Sequence, residues 1–312
     1  MRLSESIVLL VFLAVVATIY LLEARLLLRL LFSRLAGKQT GSGILSKPAI
    51  ILHSLALAGI VCLAYSYFIE PYWIEVRTVT IATEKFKNTD LRIVQISDLH
   101  CDRTVRNENR MVDIINSLKP DIIVFTGDSL NVPDALPGFK EVMTQLKAGI
   151  GKYAVRGNFD VWFWKDLDLF GETGFKVLDK ETVRLSKNGE AFCITGLSCE
   201  YRGKIPKIFV NSAGGCYSIF LHHYPDLIED VKDASFDLDL AGHTHGGQVA
   251  LPFYGALITL SKYGKKYESG KYIVGPTVLY VNRGIGLEGG AAPRIRFWSR
   301  PEITIFDITP KR

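Results

Sequence analysis

Five of the six histidines in this 312-residue chain fall in three short motifs, each at the end of an apolar run. The motifs read Asp98-Leu99-His100, His222-His223-Tyr224-Pro225 and Gly242-His243-Thr244-His245-Gly246-Gly247. Gly127-Asp128 and Gly157-Asn158-Phe159-Asp160 lie between the first two. A single histidine is ordinarily a packed or surface residue. Imidazoles clustered with Asp and Asn are instead the donor set of a metal site. A fold for this chain must therefore bring widely separated segments to one place.

The spacing within the motifs suits that task. Asp98 and His100 are two residues apart, so a pair leaving a strand end in a turn can chelate one ion. His243 and His245 repeat the spacing, with Gly242 and Gly246 allowing close backbone approach. Asp128 and Asn158 each follow a glycine after an apolar stretch, a natural exit for a ligand loop. Two divalent ions ~3.5–4 Å apart can clamp a phosphoryl group and generate a hydroxide nucleophile between them. Such a pair needs one bridging carboxylate, with neutral imidazoles and oxygens around it.

The N-terminus has a different character. With 48% hydrophobic residues the chain can bury one large core, but the apolar excess is concentrated in two runs. Ile7 to Leu22 and Ala49 to Phe68 are each near the ~20 residues that cross a bilayer as a helix. The first run lacks a small-residue cleavage site and continues into more apolar sequence, which disfavours a signal peptide. Two membrane helices, about residues 6–22 and 49–69, are expected, making a multi-pass protein of the cell membrane with the bilayer as partner. Between them Arg25, Arg29, Arg34, Lys38 and Lys47 accompany a single acid, and Leu26, Leu27, Leu30 and Leu31 alternate with arginines as in an interfacial helix. The positive-inside rule makes this loop cytoplasmic and the rest external, although Arg77, Lys85 and Lys87 after the second run weaken the bias. His53 lies inside the second run as an intramembrane ionisable candidate.

The net charge of +5 is partly accounted for by the basic loop, and no basic-aromatic stripe suggests a nucleic-acid partner. Five cysteines in an odd set, with no Cys-x-x-Cys, predict neither a disulfide framework nor a zinc finger.

Residues 73–312 read as one α/β domain after a membrane hairpin of residues 1–72. Strands are expected at 76–81, 91–96, 121–126, 153–155, 182–185, 191–197, 217–221, 237–240, 278–281 and 302–306, with helices at 107–118 and 136–146. Early βαβ alternation followed by mostly strands suggests a mixed two-sheet sandwich with outer helices. Each candidate motif then follows a strand C-terminus, where open α/β sheets place their sites.

The ordered blocks Asp-x-His, Gly-Asp, Gly-Asn-x-Asp, His-x-Pro and Gly-His-x-His, over about residues 90–250, resemble the calcineurin-like metallophosphoesterases. Gly242 to Gln248, Asn282-Arg283-Gly284 and Pro301-Glu302-Ile303 look like its membrane-anchored branch, related to the UDP-2,3-diacylglucosamine hydrolases. The resemblance implies a four-layer α/β/β/α sandwich and two divalent ions; mixed His, Asp and Asn ligands suit manganese, iron or zinc, with manganese favoured. One ion would be held by Asp98, His100, Asp128 and His245. The other would be held by Asp128, Asn158, His223 and His243, with Asp128 bridging. Asp128, Asn158 and His243 are the catalytic candidates. His223 alone fits His-x-Pro, and His222, on the opposite face of a strand ending at Leu221, is expected to be structural.

Phe159 departs from the family, in which that position is usually a histidine that helps protonate the departing group. Phenylalanine transfers no proton, which matters least for a phosphate leaving group with a second pKa of about 6. The expected activity is therefore hydrolysis of a phosphodiester or pyrophosphate bond, on a phosphorylated, lipid-linked substrate such as UDP-2,3-diacylglucosamine, a step of lipid A biosynthesis. The alternative is a catalytically weak scaffold binding a protein partner. Around the site, Asn131 and Asp160 are candidates to orient ligands, and Arg156 and Arg283 to contact phosphate oxygens. Cys101 reads as a small buried residue, and Trp162, Phe163 and Trp164 as either a lipid-accepting groove or ordinary packing.

Overall fold

The computed structural model describes residues 2–37, 46–200, 215–232, 234, 236–289 and 293–311. In chain order the helices are α1 (Leu3–Leu35), α2 (Lys47–Phe68), α3 (Glu108–Leu118), α4 (Leu136–Gln145), α5 (Asn158–Trp162) and α6 (Ile228–Val231). The strands are β1 (Glu75–Thr83), β2 (Leu91–Ile96), β3 (Ile122–Phe125), β4 (Gly151–Ala154), β5 (Phe175–Val177), β6 (Glu181–Lys187) and β7 (Glu190–Gly196), then β8 (Tyr217–Leu221), β9 (Leu238–Ala241), β10 (Ala250–Leu251), β11 (Gly255–Ala256), β12 (Gly270–Val274), β13 (Thr277–Val281) and β14 (Glu302–Pro310).

Among the described residues the strands form two six-stranded sheets and a small β10–β11 hairpin. The first sheet runs β1-β14-β2-β3-β4-β5 and the second β12-β13-β9-β8-β7-β6. β2 to β5 are mutually parallel, as are β7, β8, β9 and β13, so each sheet sends several strand C-termini to one edge. Alternation along each strand sorts the core into layers. Ile93, Ile122 and Val124 face Ile194, Ile219, Leu221, Leu238 and Leu240 between the sheets. Val94, Ile96, Ile123 and Phe125 face the other way, onto Met111 and Ile115 of α3 and Phe139 and Met143 of α4. On the far side of the second sheet, Phe220, Leu279 and Val281 pack against Ile228 and Val231 of α6. Helix, sheet, sheet, helix is the expected four-layer order, and all ten expected strands are present. Sequence reading did not single out β5, β10, β11 and β12, which are short or lie at sheet margins.

Buried Gln95 ties the two sheets together at the strand ends. Its amide donates to Thr126 Oγ1 at 3.1 Å, on the first sheet, and to the Ala241 carbonyl at 2.9 Å, on the second.

α1 and α2 are both long and apolar enough to cross a membrane. α1 is longer than expected: its 33 residues span about 50 Å. The segment expected as a separate interfacial helix instead continues α1 without a break, because residues 22 to 35 are Leu, Glu, Ala, Arg, Phe and Ser, with no Gly or Pro to end the helix. Of the basic residues in that loop, Lys38 lies outside the described residues. The two helices meet where Tyr20 Oη donates to the Ala56 carbonyl at 3.1 Å, beside Gly59, whose missing side chain leaves room for the Tyr20 ring. His53 Nδ1 lies 2.7 Å from Glu23, so the histidine inside the second run has a carboxylate partner on the first.

This hairpin is bonded to the rest of the chain. Glu5 accepts the Thr259 N–H at 3.2 Å and its hydroxyl at 2.7 Å, and Ser66 O accepts the Arg296 N–H at 3.0 Å. Glu70 accepts the N–H groups of Trp298 at 2.9 Å and Ser299 at 2.5 Å. The 1–72 and 73–312 segments thus share a hydrogen-bonded junction.

One expectation is corrected. Cys193, on β7, and Cys216, just before β8, form a disulfide with Cα atoms 6.1 Å apart. Their separation of 23 residues follows no motif, and parallel pairing of β7 with β8 is what brings them within bridging range.

Candidate metal centre

The motifs converge where the two sheets present their strand C-termini. Asp98 and His100 follow β2, Asp128 follows β3, Asn158 opens α5 after β4, His223 follows β8, and His243 and His245 follow β9. The exits of β2 and β3 stay side by side: the Asp98 N–H donates to Gly127 O at 2.8 Å and the His100 N–H to Asp128 O at 3.1 Å. Asp98, His100, Asp128, His243 and His245 all have φ between +40° and +74°. Left-handed backbone at a non-glycine residue costs on the order of 1–3 kcal/mol and persists only where its surroundings over-determine it. Five such residues in one centre mark a constellation held against local preference. The flanking glycines are sterically required: a side chain at Gly157 would collide with Asp128, and one at Gly242 with Ser97 and Asp98.

Two triads result. Asp98, His100 and His245 offer ligand atoms within 4.8 Å of one another, and so do Asp128, His223 and His243. His245 Nε2 lies 3.3 Å from Asp98 Oδ1, and Asp128 Oδ2 lies 3.5 Å from His100 Nε2 and 3.3 Å from His223 Nε2. Asp128 therefore stands between the triads, as a bridging carboxylate would. Asn158 Oδ1 is 3.0 Å from His223 Nε2 and completes the second group. Both nitrogens of buried His100 lack a hydrogen-bond partner, an unusual state for a buried imidazole that a bound cation would relieve. His223 Nδ1 faces Thr126 O at 2.7 Å, so that nitrogen carries the proton and Nε2 is left for a ligand. Imidazole with carboxylate and amide oxygens suits manganese, iron or zinc, so the residues present fit two divalent ions.

The electrostatics are those of a buried, mutually coupled centre. Burial opposes ionisation of Asp98, but His245, His223 and His100 hold its carboxyl below the ordinary range. Burial likewise opposes a charge on Asp128, which His223 and His100 outweigh. Burial lowers His100 to about 4 and His243 to about 3. His223 goes the other way, because Asp128 and Asp98 overcome its burial and raise it to about 9.

Surrounding residues divide by what they touch. Asp160 accepts N–H groups from Asp128 at 2.9 Å, Ser129 at 2.8 Å and Gly157 at 2.9 Å, fixing two ligand loops at once, while burial and the nearby Asp128 push its carboxyl up to about 6. Asn131 donates to the carbonyls of His100 and Leu287, both at 2.9 Å, and so fixes the first ligand loop. His222 turns to the outer face, stacks on Phe220 with ring centroids 6.1 Å apart, and accepts the Tyr224 N–H at 2.9 Å. Cys101 is buried, and its burial and Glu108 raise the thiol well above the ordinary range, so it is an inert packing residue. Phe159 sets its ring edge-on to His100 at 4.7 Å and gives its N–H to Asp128 Oδ1 at 2.8 Å.

Arg283 departs from expectation. Its guanidinium is taken by Glu302 at 2.5 Å and Glu75 at 2.7 Å, so it ties β14 to β1 and is not presented to a phosphate. Arg156 sits beside the Asn158 loop, half-buried, with Nε lacking a hydrogen-bond partner.

Sequence reading passed over Arg296. It is fully buried and donates to the carbonyls of Arg283, Gly284, Gly286 and Ser299, and its Nη2 lies 3.4 Å from His245 Nδ1. Nothing local distinguishes it from Arg294 and Arg300 on the same segment; only the tertiary structure separates them. Glu288, half-buried, lies in the field of the same ligands and has its carboxyl raised by partial desolvation.

Comparison with known proteins agrees with this geometry. Residues 91–247 match the model of the calcineurin-like phosphoesterase family. The metallophosphoesterase YkuE of Bacillus subtilis is 35% identical over 263 residues, covering 78% of this chain and 88% of YkuE. The phosphodiesterase YaeI of Escherichia coli is 28% identical, covering 78% of this chain and 92% of YaeI. The UDP-2,3-diacylglucosamine pyrophosphatase LpxG of Chlamydia muridarum is 27% identical, covering 69% and 82% respectively. Matched across half its length by the family model, and across 78% of it by a relative above 30% identity, the chain belongs to the calcineurin-like phosphoesterases and is a hydrolase of that family.

Proposed function

We propose that this protein is a membrane-anchored phosphohydrolase that holds two divalent ions, manganese by preference, and cleaves a phosphodiester or pyrophosphate bond in a lipid-linked substrate. The observation that carries the reading is the pair of buried triads, each with ligand atoms within 4.8 Å, joined by Asp128 of the second, whose Oδ2 lies 3.5 Å from His100 of the first. Asp98, His100, Asp128 and His245 would hold one ion, and Asp128, Asn158, His223 and His243 the other. When bound, such a pair polarises the phosphoryl oxygens and activates water as the nucleophile. The chain's own residues position that chemistry. Asp160 and Asn131 lock the ligand loops, and Thr126 sets the His223 tautomer. Phe159 supplies packing and a backbone N–H but no proton, which favours a bond whose leaving group departs unaided.

Anchoring through α1 and α2 is supported by their length and by the apolar side chains they expose, among them Leu10, Leu21, Leu57 and Leu63. Two observations support a catalytic domain outside the cytoplasm. Arg25, Arg29 and Arg34 lie toward the end of α1 away from the domain, and Cys193–Cys216 is a bond that persists in oxidising compartments. On that side the preferred substrate is a phosphorylated lipid of the envelope whose leaving group departs unaided, a pyrophosphate before an alkyl phosphodiester. The LpxG similarity favours UDP-2,3-diacylglucosamine as the second reading, which needs a cytoplasmic active site.

The full-length protein with manganese, offered UDP-2,3-diacylglucosamine and bis-p-nitrophenyl phosphate, separates these readings. Release of UMP well above aryl diester hydrolysis supports the nucleotide-lipid substrate. Aryl diester hydrolysis alone supports an envelope substrate other than the nucleotide lipid. Asp128→Ala should abolish turnover and bound metal together, and retained turnover would sink the assignment of the centre.

A further inference from the structure

The strand directions decide which edge of the sandwich faces the hairpin. β2, β3 and β4 end at the metal centre, β14 runs antiparallel to β2, and β1 runs parallel to β14. β1 therefore begins at the metal-bearing edge, and α2 enters it there through Glu70–Tyr72. Side-chain contacts agree: the Tyr65 ring of α2 lies 6.4 Å from Phe297, and the first turn of α1 is bonded to Thr259 through Glu5. Both helices thus meet the domain at the edge that carries the ligands.

That edge also carries exposed aromatic side chains. Phe253 is fully exposed, Trp298 is 62% exposed, and Trp162 and Phe163 are 57% and 58% exposed. Tyr254 and Trp73 join them, with the Arg300 guanidinium 4.1 Å above the Trp73 ring. Phe163 packs on Phe159 at 5.2 Å, which in turn packs on His100, so the aromatic surface reaches the metal centre. Among the described residues, no Trp or Phe outside the two helices is exposed at the opposite edge, where the β6–β7 turn reads Lys187-Asn188-Gly189-Glu190. A ring of exposed Trp, Tyr and Phe beside membrane-length helices is the pattern of side chains that sit at headgroup level. A cavity of about 420 Å3 opens at the same junction, lined by Tyr65, Glu70, Arg77, Arg283, Trp298 and Arg300.

We infer that the metal-bearing edge is itself a membrane-docking face, seated through Trp162, Phe163, Phe253, Tyr254 and Trp298 on the leaflet that the hairpin enters. This rests on the reading of the hairpin as a membrane anchor, and it narrows the substrate to a phosphorylated lipid presented headgroup-first from that leaflet. Exposed aromatic area lowers its free energy on leaving water, and the hairpin prevents the docked face from diffusing away.

The test uses the full chain in vesicles of phosphatidylcholine and phosphatidylglycerol. A polarity-sensitive fluorophore is attached at Phe253→Cys or, as a control, at Asn188→Cys, both in a Cys62→Ala background. Bromine-labelled lipid should quench the fluorophore at 253 and leave that at 188 unaffected; equal or absent quenching overturns the docking face. Catalysis is read on two substrates with the same leaving group, soluble bis-p-nitrophenyl phosphate and the p-nitrophenyl phosphodiester of a diacylglycerol in the vesicle. Trp162→Asp and Phe253→Asp should each slow the lipid substrate about tenfold or more and leave the soluble one unchanged. Parallel loss on both, or no loss on either, overturns the lipid presentation. Quenching at 253 with no hydrolysis of either diester would refute the phosphodiester reading while the docking face stands.

Discussion

The Ser66 carbonyl near the end of α2 accepts the Arg296 N–H at 3.0 Å, and the Arg296 guanidinium reaches to 3.4 Å from His245 Nδ1. One residue thus joins the end of a membrane-length helix to a candidate metal ligand. Glu70 reinforces the link through the Ser299 N–H, and Ser299 Oγ donates to the His245 carbonyl at 2.5 Å.

Arg296 should therefore govern the first metal position. Burial and the nearby Arg283 lower it to about 9, so it stays charged near neutrality with four carbonyls as acceptors. Arg296→Lys keeps a cation but cannot reach every carbonyl, and residues that orient ligands typically govern roughly 10–100-fold in metal affinity. We expect loss of that order at one of the two positions, measured by metal titration of the full-length protein. Unchanged affinity at both would show that Arg296 only packs the loop.

Phe159→His should restore a proton donor without disturbing Asp128, since the backbone N–H that bonds Asp128 Oδ1 is retained. General acid catalysis is worth about 10²–10⁴-fold, and its benefit grows as the leaving group becomes poorer. Turnover of an alkyl phosphodiester is expected to rise more than that of an aryl one. An equal response of both substrates would disprove the account of this position.

Metal uptake should release protons. Held at about 9 by Asp128 against its own burial, His223 is charged near neutrality in the metal-free centre and must lose a proton to become a ligand. Apparent manganese affinity is thus expected to weaken as pH falls below about 9. Calorimetry in two buffers of different ionisation enthalpy reads the released proton directly, and buffer-independent heats would contradict the assignment.

Asp239 offers a test of stability away from the ligands. It is buried on β9, its Oδ1 has no hydrogen-bond partner, and burial pushes its carboxyl up to about 8. The unfolded chain ionises the same group near about 4. Between those values the folded state keeps a proton that the unfolded state releases, so the group costs stability increasingly as pH rises from about 4 to about 8. Asp239→Asn should accordingly stabilise the domain more at the upper end of that window than at the lower. Thermal midpoints that shift equally at both ends would show that the carboxyl is ionised when folded.

How far the site was legible follows from chemistry and spacing. Asp98 with His100, and His243 with His245, announce chelation within a few residues, and glycines beside Asp128 and Asn158 announce loops. Arg283 misled because an arginine's sequence neighbours do not reveal whether a carboxylate such as Glu302 already holds it. The Cys193–Cys216 bond escaped for a related reason, since strand pairing and not spacing makes the cysteines neighbours.

By itself the sequence determined the two membrane-length helices, the strand and helix periodicities, and a donor set with spacing fit for two ions. These depend on local patterning, which the side chains of neighbouring residues set on their own. Only the tertiary structure decided that Asp128 Oδ2 lies within 3.5 Å of both His100 and His223, that Arg296 is buried against His245 while Arg294 is not, and that β1 starts at the metal-bearing edge beneath α2. Those outcomes depend on strand direction and sheet order. They are set by the burial of both sheet faces at once, an energy that no single segment contains.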